Sequence, residues 1–119
     1  VVVGAGDMGH AVANYQGFQD RGFRVVAIFD NDKSKVGMKI GNFVVEDTEV
    51  MVERIRMADI KIAMLSVQAS AAQDVADKLV QAGVRAILNY APISLNVPNQ
   101  VKVQYIDPST HLQRMTFYL

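Results

Sequence analysis

The chain has 119 residues, half of them apolar and a fifth charged, which is the composition of one soluble globular domain. It has no cysteine, which excludes disulfides, thiolate catalysis and cysteine-based metal sites, so any redox sensing needs a bound cofactor. Its 12 basic and 12 acidic side chains balance, whereas a domain that binds nucleic acid by itself normally has a basic excess. No apolar run approaches the roughly 20 residues that span a bilayer, so we expect a cytoplasmic protein without a membrane partner.

The chain opens directly on Val1-Val2-Val3, without an initiator Met, and such a strand is shorter than usual. We therefore expect a fragment of a longer protein. The β-branched run is typical of a strand buried on both faces of a parallel sheet. Apolar residues at helical spacing then predict a helix over residues 7–20.

The rest of the chain alternates between predicted strands and predicted helices. The strands are expected at 23–30, 59–67, 84–89 and 101–106, with 40–45 as a strand or an edge segment. The helices are expected at 48–57, 70–82 and 109–119, with a short helical turn at 32–37. Asp32 and Thr48 are the predicted N-caps, and Gly37 and Gly83 end their helices. This alternation predicts right-handed crossovers and one Rossmann-like, doubly wound α/β domain with a mostly parallel sheet.

The most informative motif is Gly4-Ala5-Gly6-Asp7-Met8-Gly9, which follows the first strand and opens the first helix. In a G-x-G-x-x-G turn the first glycine permits the tight turn and the second lets the backbone approach a pyrophosphate. The third lets helix and strand pack closely, and the helix N-terminus presents free N–H groups to the phosphates. Asp7 is unusual here, because its carboxylate would face the pyrophosphate unless it points away or caps the helix.

The predicted second strand ends at Asp30, about 20 residues after the motif. A carboxylate at this place accepts hydrogen bonds from the adenosine ribose and repels a 2′-phosphate, so the sequence favours NAD over NADP. Asn31 and Asp32 follow, and no Arg is nearby. Lys33 and Lys35 are the nearest cations, and we predict that Asn31 and Lys35 border the cofactor.

The segments after two later strands are predicted to border the nicotinamide half of the cofactor: Ser66-Val67-Gln68 and Asn89-Tyr90-Ala91-Pro92. No Ser/His/Asp set, carboxylate pair or metal-ligand spacing stands out. His10 is predicted to face solvent or pack nearby, and His111 to lie at a surface or an interface. The sequence therefore predicts a cofactor site without a catalytic residue and without a metal.

Several longer stretches are more specific than the glycine motif. Two of them are Phe29-Asp30-Asn31-Asp32-Lys33-Ser34-Lys35-Val36-Gly37 and Gly83-Val84-Arg85-Ala86-Ile87-Leu88-Asn89-Tyr90-Ala91-Pro92. Others are Asn14-Tyr15-Gln16-Gly17-Phe18, Ala71-Ala72-Gln73, Leu95-Asn96-Val97-Pro98, Ile106-Asp107 and Leu112-Gln113. Together they resemble the C-terminal Rossmann domain of the Rex family of redox-sensing transcriptional repressors.

The resemblance implies a domain that senses NADH and NAD⁺ without turnover. Rex proteins carry an N-terminal winged-helix domain, and they form homodimers in which the C-terminal helix is swapped onto the partner. NADH favours a closed dimer that releases operator DNA, whereas NAD⁺ permits DNA binding. In this chain the resemblance implies a core over 1–108 and a swapped helix over 109–119. Operator DNA would be bound only through a winged-helix domain that this chain lacks.

The resemblance also implies residue roles. Gly4 to Gly9 would hold the pyrophosphate and Asp30 the ribose. The nicotinamide half would be bordered by Ser66, Val67, Tyr90, Ala91 and Pro92. Tyr15 and Asp107 match residues that join a winged-helix Arg in a cofactor-sensitive contact; helix packing for Tyr15 and N-capping for Asp107 are equally open explanations. The chain departs from the family's pattern at Gln68, Pro108 and His111.

Two other functions remain open, because fold alone does not determine function. The chain could be the cofactor domain of an oxidoreductase whose catalytic residues lie elsewhere, or the CoA-binding domain of an acyl-CoA ligase. Asp30 favours a ribose diol over the 3′-phosphorylated ribose of CoA, and the Rex-like stretches disfavour an enzyme.

Overall fold

The computed structural model describes residues 1–6, 9–11 and 22–106. The strands within these ranges are β1 (Val2–Val3), β2 (Ile28–Asp30), β3 (Lys39–Ile40), β4 (Phe43–Val44), β5 (Glu46–Asp47), β6 (Ile62–Leu65), β7 (Ala86–Asn89) and β8 (Lys102–Tyr105). The helical elements are a 3₁₀ helix (Thr48–Val50), α1 (Met51–Ala58) and α2 (Ala69–Ala82), and residues 9–11 are also helical.

Six of these strands form one sheet in the order β5-β2-β1-β6-β7-β8, and every neighbouring pair in it is parallel. The chain adds β2 and β5 on one side of β1, then crosses to add β6, β7 and β8 on the other side. The order therefore reverses between β1 and β6, which is the topological switch point of a doubly wound sheet. This topology confirms the predicted Rossmann-like fold.

The central strands β1 and β2 bury side chains on both faces, as their apolar sequences predict. Val3, Phe29 and Leu65 belong to a large apolar cluster that includes residues of α1 and α2. Val2 and Ile28 belong to a second cluster on the opposite side of the same strands. The parallel pairing of β1 with β2 and β6 sets the position of the loops that follow these strands.

The largest difference from the predicted elements is the segment 40–45. It is not a single strand: β3 and β4 form an antiparallel hairpin, and β5, which begins after Val45, joins the edge of the main sheet beside β2. Gly41 has a φ of +58° at the first central position of the hairpin turn, where glycine is favoured. The prediction missed the hairpin because its strands are only two residues long.

Several element ends also differ. Asp47, not Thr48, caps the 3₁₀ helix, and Thr48 is buried. The predicted helix at 32–37 is a series of hydrogen-bonded turns. Of the strand predicted at 23–30, only the last three residues, β2, form a strand. The end of α2 at Gly83 was predicted correctly. The predicted helix over 7–20, apart from residues 9–11, and the one over 109–119 lie outside the described residues.

Candidate functional site

A cavity of about 360 Å³ lies at the carboxyl ends of β1, β2 and β6, next to the switch point. Ligands of open α/β sheets bind at this location. Its lining consists of Gly4, Ala5, Gly6, Asp30, Asn31, Asp32, Lys35, Ser66, Val67 and Gln68. The fold thus brings together eight of the predicted cofactor residues with Gln68 of the predicted Ser66-Val67-Gln68 segment, and it adds Asp32.

The first turn residue, Gly4, holds the ends of β1 and β6 close together. Its φ is +119°, and a Cβ built on it would lie 2.1 Å from the carbonyl oxygen of Ser66. Gly9 is equally constrained, because its Cβ would lie 2.3 Å from the carbonyl oxygen of Gly4. No side chain fits at either position, so the turn and the following helix pack with backbone against backbone.

The second glycine is open toward the cavity. The nearest heavy atom to a Cβ built on Gly6 is the Nζ of Lys35, at 4.0 Å. A ligand can therefore approach the Gly6 backbone directly, and Lys35 places an ammonium group beside that approach. The carbonyl oxygen of Gly6 is bonded by His10, whose backbone N and ring Nδ1 both lie 3.0 Å from it. The His10 side chain is exposed, as predicted.

Asp30 has a structural role that the sequence did not reveal. It is only 5% exposed, and its Oδ2 accepts a hydrogen bond of 2.8 Å from the backbone N–H of Ala5. Its Oδ1 accepts another of 2.8 Å from the backbone N–H of Asp32. The carboxylate therefore joins the glycine turn to the loop after β2. Each carboxylate oxygen has two lone pairs, so Asp30 can also accept from a ribose hydroxyl.

The loop after β2 is organised by two further carboxylates. Oδ1 of Asp32 accepts hydrogen bonds from the backbone N–H of Ser34 (2.9 Å) and from its hydroxyl (2.7 Å). The hydroxyl of Ser34, followed by its backbone N–H, lowers the pKa of Asp32, which keeps this carboxylate ionised. Lys33 pairs with Asp47 and, at 3.4 Å, with Glu49.

The two lysines of this loop therefore differ. Lys33 is bound to Asp47 of β5 and Glu49 of the 3₁₀ helix, whereas Lys35 lines the cavity. The hydrogen bond with Asp47 raises the pKa of Lys33 and lowers that of Asp47. The cavity thus presents one lysine and two aspartates to a ligand, together with backbone N–H groups.

Of the residues predicted to border the nicotinamide half, Ser66 and Val67 belong to the lining of this cavity, whereas Tyr90, Ala91 and Pro92 do not. Ala91 and Pro92 line a second cavity of about 440 Å³ at the carboxyl ends of β7 and β8. The backbone N–H of Tyr90 donates to the carbonyl oxygen of Leu65 at 2.8 Å, next to Ser66 of the first cavity. Partial burial raises the pKa of the Tyr90 phenol. This backbone bond holds Tyr90 beside the end of β6.

Asn89 shapes the start of the loop that carries these residues. It is 1% exposed, its Oδ1 accepts from the backbone N–H of Ala91 at 2.9 Å, and its Nδ2 donates to the carbonyl oxygen of Ile93 at 3.0 Å. In the sequence, the only signal was an Asn at the end of a predicted strand. Its hydrogen-bond partners are known only from the course of the backbone in the structure.

Asp7, Met8, Tyr15 and Asp107 lie outside the described residues. Within residues 1–6, 9–11 and 22–106, no group of three or more His, Cys, Asp or Glu side chains is placed to hold a metal ion. In the same part of the chain, no helix is both long enough and apolar enough to cross a membrane.

Comparison with known proteins gives one family and many relatives. The model of a family described as "CoA binding domain" matches residues 1–93. The redox-sensing transcriptional repressor Rex of Chloroflexus aggregans is 47% identical over 119 residues, all of this chain and 56% of the relative. The Rex proteins of Chloroflexus aurantiacus (49%; 99% of this chain) and Carboxydothermus hydrogenoformans (46%; 98%) are also similar over 56% of their length. The chain thus spans little more than half of these relatives.

Solved structures agree with the sequence relatives. RSP, a Rex-family repressor, superposes with a TM-score of 0.87 at 37% identity, over 98% of this chain and 56% of RSP. RSP has also been solved with β-NADH (TM-score 0.87) and with β-NAD⁺ and operator DNA (TM-score 0.86). These findings confirm the Rex resemblance inferred from the sequence. The chain belongs to the family of CoA-binding domains, and within that Rossmann-like family it matches one part of the Rex repressors.

Proposed function

We propose that this chain is the domain of a redox-responsive transcriptional repressor that senses NADH and NAD⁺ by binding them without turnover. The observation that carries the proposal is the buried carboxylate of Asp30, which lies at the mouth of a glycine turn in a chain similar along its whole length to Rex repressors. The relative RSP has been solved both with β-NADH and with β-NAD⁺ and operator DNA.

The lining of the cavity supports the binding of the pyrophosphate and the adenosine by the predicted residues. Gly4, Ala5, Gly6 and Gly9, with Asp7 and Met8 of the same motif, would hold the pyrophosphate. The open approach to the Gly6 backbone and the nearby Lys35 ammonium suit two negative phosphates. Asp30 and Asn31 would bind the adenosine ribose, for which Asp30 retains acceptor capacity.

Ser66 and Val67 would continue the site toward the nicotinamide, and Tyr90, Ala91 and Pro92 would border the ring. The bond from the Tyr90 N–H to Leu65 supports this role, because it keeps the loop next to Ser66. In the described lining of the cavity, the ionisable side chains are Asp30, Asp32 and Lys35. Asp30 and Asp32 are already bonded to backbone N–H groups, which suits binding better than proton transfer.

We also propose the assembly that the Rex resemblance implies. Residues 1–108 would form the core, and residues 109–119 would form a helix that is exchanged in a homodimer. Operator DNA would be bound through a winged-helix domain outside this chain, and Tyr15 and Asp107 would take part in the cofactor-sensitive contact with it. The repressor would act in the cytoplasm.

CoA is a second candidate ligand, because the matching family model is described as a CoA-binding domain. Asp30 argues against it. A buried carboxylate held by Ala5 and Asp32 favours a ribose diol and disfavours a phosphorylated ribose by charge repulsion.

Calorimetric titration with NADH, NAD⁺, NADPH and CoA tests the proposal. We expect NADH to bind most tightly and NADPH most weakly of the three nicotinamide cofactors. Equal or tighter binding of CoA would contradict the sensor function. Consumption of NADH in the presence of the protein would contradict binding without turnover.

A further inference from the structure

The loop from residue 90 to residue 100 joins β7 to β8 without a helix, although it runs over the same face of the sheet as α1 and α2. Ile93, Leu95 and Val97 pack against the core cluster on that face, but each is only partly buried. An irregular loop of this length needs specific hydrogen bonds to keep one conformation.

One side chain of α2 supplies two such bonds. The Gln73 amide binds the backbone of Asn96 as a neighbouring strand would, because its Nε2 donates to the carbonyl oxygen at 2.9 Å and its Oε1 accepts from the N–H at 2.8 Å. The same Nε2 donates to Oδ1 of Asp77 at 2.8 Å, one turn further along the helix. Asp77 therefore fixes the orientation of the Gln73 amide.

Gln73 is the last of three anchors along this loop, because it binds Asn96. Asn89 binds its beginning, through Ala91 and Ile93, and the Tyr105 hydroxyl accepts from the backbone N–H of Leu95 at 2.9 Å. Asn89 and Tyr105 belong to the strands that the loop connects. Gln73 alone among these three belongs to α2, the helix that begins directly after Ser66-Val67-Gln68 at the edge of the first cavity.

We propose that Gln73 is a positioning residue that holds the nicotinamide side of the cofactor site in place by fixing the 90–100 loop to α2. This proposal rests on the proposed function, since Tyr90, Ala91 and Pro92 border the nicotinamide only if the chain binds NAD(H). Gln73 touches no lining residue of the first cavity through a hydrogen bond, so it acts on the cofactor through the loop. The adenosine side, held by Gly4 and Asp30, does not depend on it.

The test compares Gln73→Leu with Gln81→Leu in the whole protein, because Gln81 is an exposed glutamine on the same helix. Hydrogen exchange without ligand measures the Asn96 N–H directly. We expect it to exchange about three- to tenfold faster in Gln73→Leu, the range that one or two exposed hydrogen bonds give. Gln81→Leu should match the wild type. Unchanged exchange at Asn96 would overturn the anchoring role.

Calorimetry with NADH and with ADP-ribose, which lacks the nicotinamide, gives the second readout. We expect Gln73→Leu to weaken NADH about threefold and to leave ADP-ribose within error. Equal losses for both ligands, or no loss for NADH, would overturn the proposal. Wild-type protein that bound no NADH would instead overturn the proposed function, together with the nicotinamide role that rests on it.

Discussion

The two sides of the candidate site are held by different chemical groups. On the β1 and β2 side, glycines remove side chains so that backbone meets backbone, and the carboxylate of Asp30 joins the turn to the next loop. On the β7 side, a long loop is held by the side chains of Asn89, Gln73 and Tyr105. The first arrangement leaves little freedom, whereas the second depends on bonds that are mostly exposed and individually weak.

This contrast fits a sensor that binds two forms of one cofactor. NADH and NAD⁺ share the adenosine and the pyrophosphate, so a rigid side can bind both in the same way. The two forms differ only in the nicotinamide ring, which is where the proposed site has the more adjustable wall. Substitutions on the two sides should therefore differ in size and in which ligand they affect.

The largest effect is expected for Gly4→Ala. The new Cβ would meet the Ser66 carbonyl oxygen at 2.1 Å with a φ of +119°, so β1 and β6 would have to separate. We expect the free energy of unfolding to fall by about 3 kcal/mol or more, from strain and overpacking together. Urea unfolding measures this loss. Gly37→Ala is the matched control, because Gly37 also has a positive φ but nothing within 4 Å, and it should cost only about 1–2 kcal/mol.

Asp30→Ala should lower both stability and affinity. The buried N–H of Ala5 and the N–H of Asp32 would lose their acceptors, at a cost of about 2–3 kcal/mol in the free energy of unfolding. NADH binding should weaken as well, so urea unfolding and calorimetry are needed together. Asp74→Ala, at an exposed position of α2, is the control and should change neither quantity. A stability equal to that of the wild type would contradict the structural role of Asp30.

Asn89→Ala should cost about 2 kcal/mol in the free energy of unfolding, because its two bonds to the loop lie at a position only 1% exposed. Tyr105→Phe removes a single bond from a side chain that is 48% exposed, and less than about 1 kcal/mol is expected. Chemical denaturation of both variants measures the difference. If Tyr105→Phe proved the more damaging, our ranking of the loop anchors would be wrong.

The smallest effects separate the two lysines of the β2 loop. Lys35→Gln should weaken the binding of NADH about threefold, since Lys35 lines the cavity, while Lys33→Gln should leave NADH affinity unchanged.

Lys33→Gln should instead raise the pKa of Asp47 toward its ordinary value, measured by NMR titration of the carboxyl group. Because Lys33 lowers this pKa in the folded protein, the pair stabilises the fold above the ordinary pKa of Asp. That contribution is lost as the pH falls through the lowered pKa. Loss of NADH affinity in Lys33→Gln would contradict this separation.

Much of the fold and most of the residues that line the first cavity followed from local patterns. Strand and helix order gave the doubly wound topology, and the motif with Asp30 located the cavity, because carboxyl ends of parallel strands meet at one edge. The hairpin of β3 and β4 was missed, since two-residue strands carry no periodicity. The cap at Asp47 was missed because Asp47 and Thr48 are adjacent and both are good N-caps.

The sequence by itself determined that the protein has a glycine turn, an acidic residue after the second strand and a Rossmann-like fold, since these features depend on spacing along the chain. Only the tertiary structure decided that Asp30 binds two backbone N–H groups, that Lys35 and not Lys33 lines the cavity, and that Gln73 holds the loop at Asn96. Each of these depends on contacts between residues that the fold brings together, and a polar side chain in a sequence does not specify its distant partner.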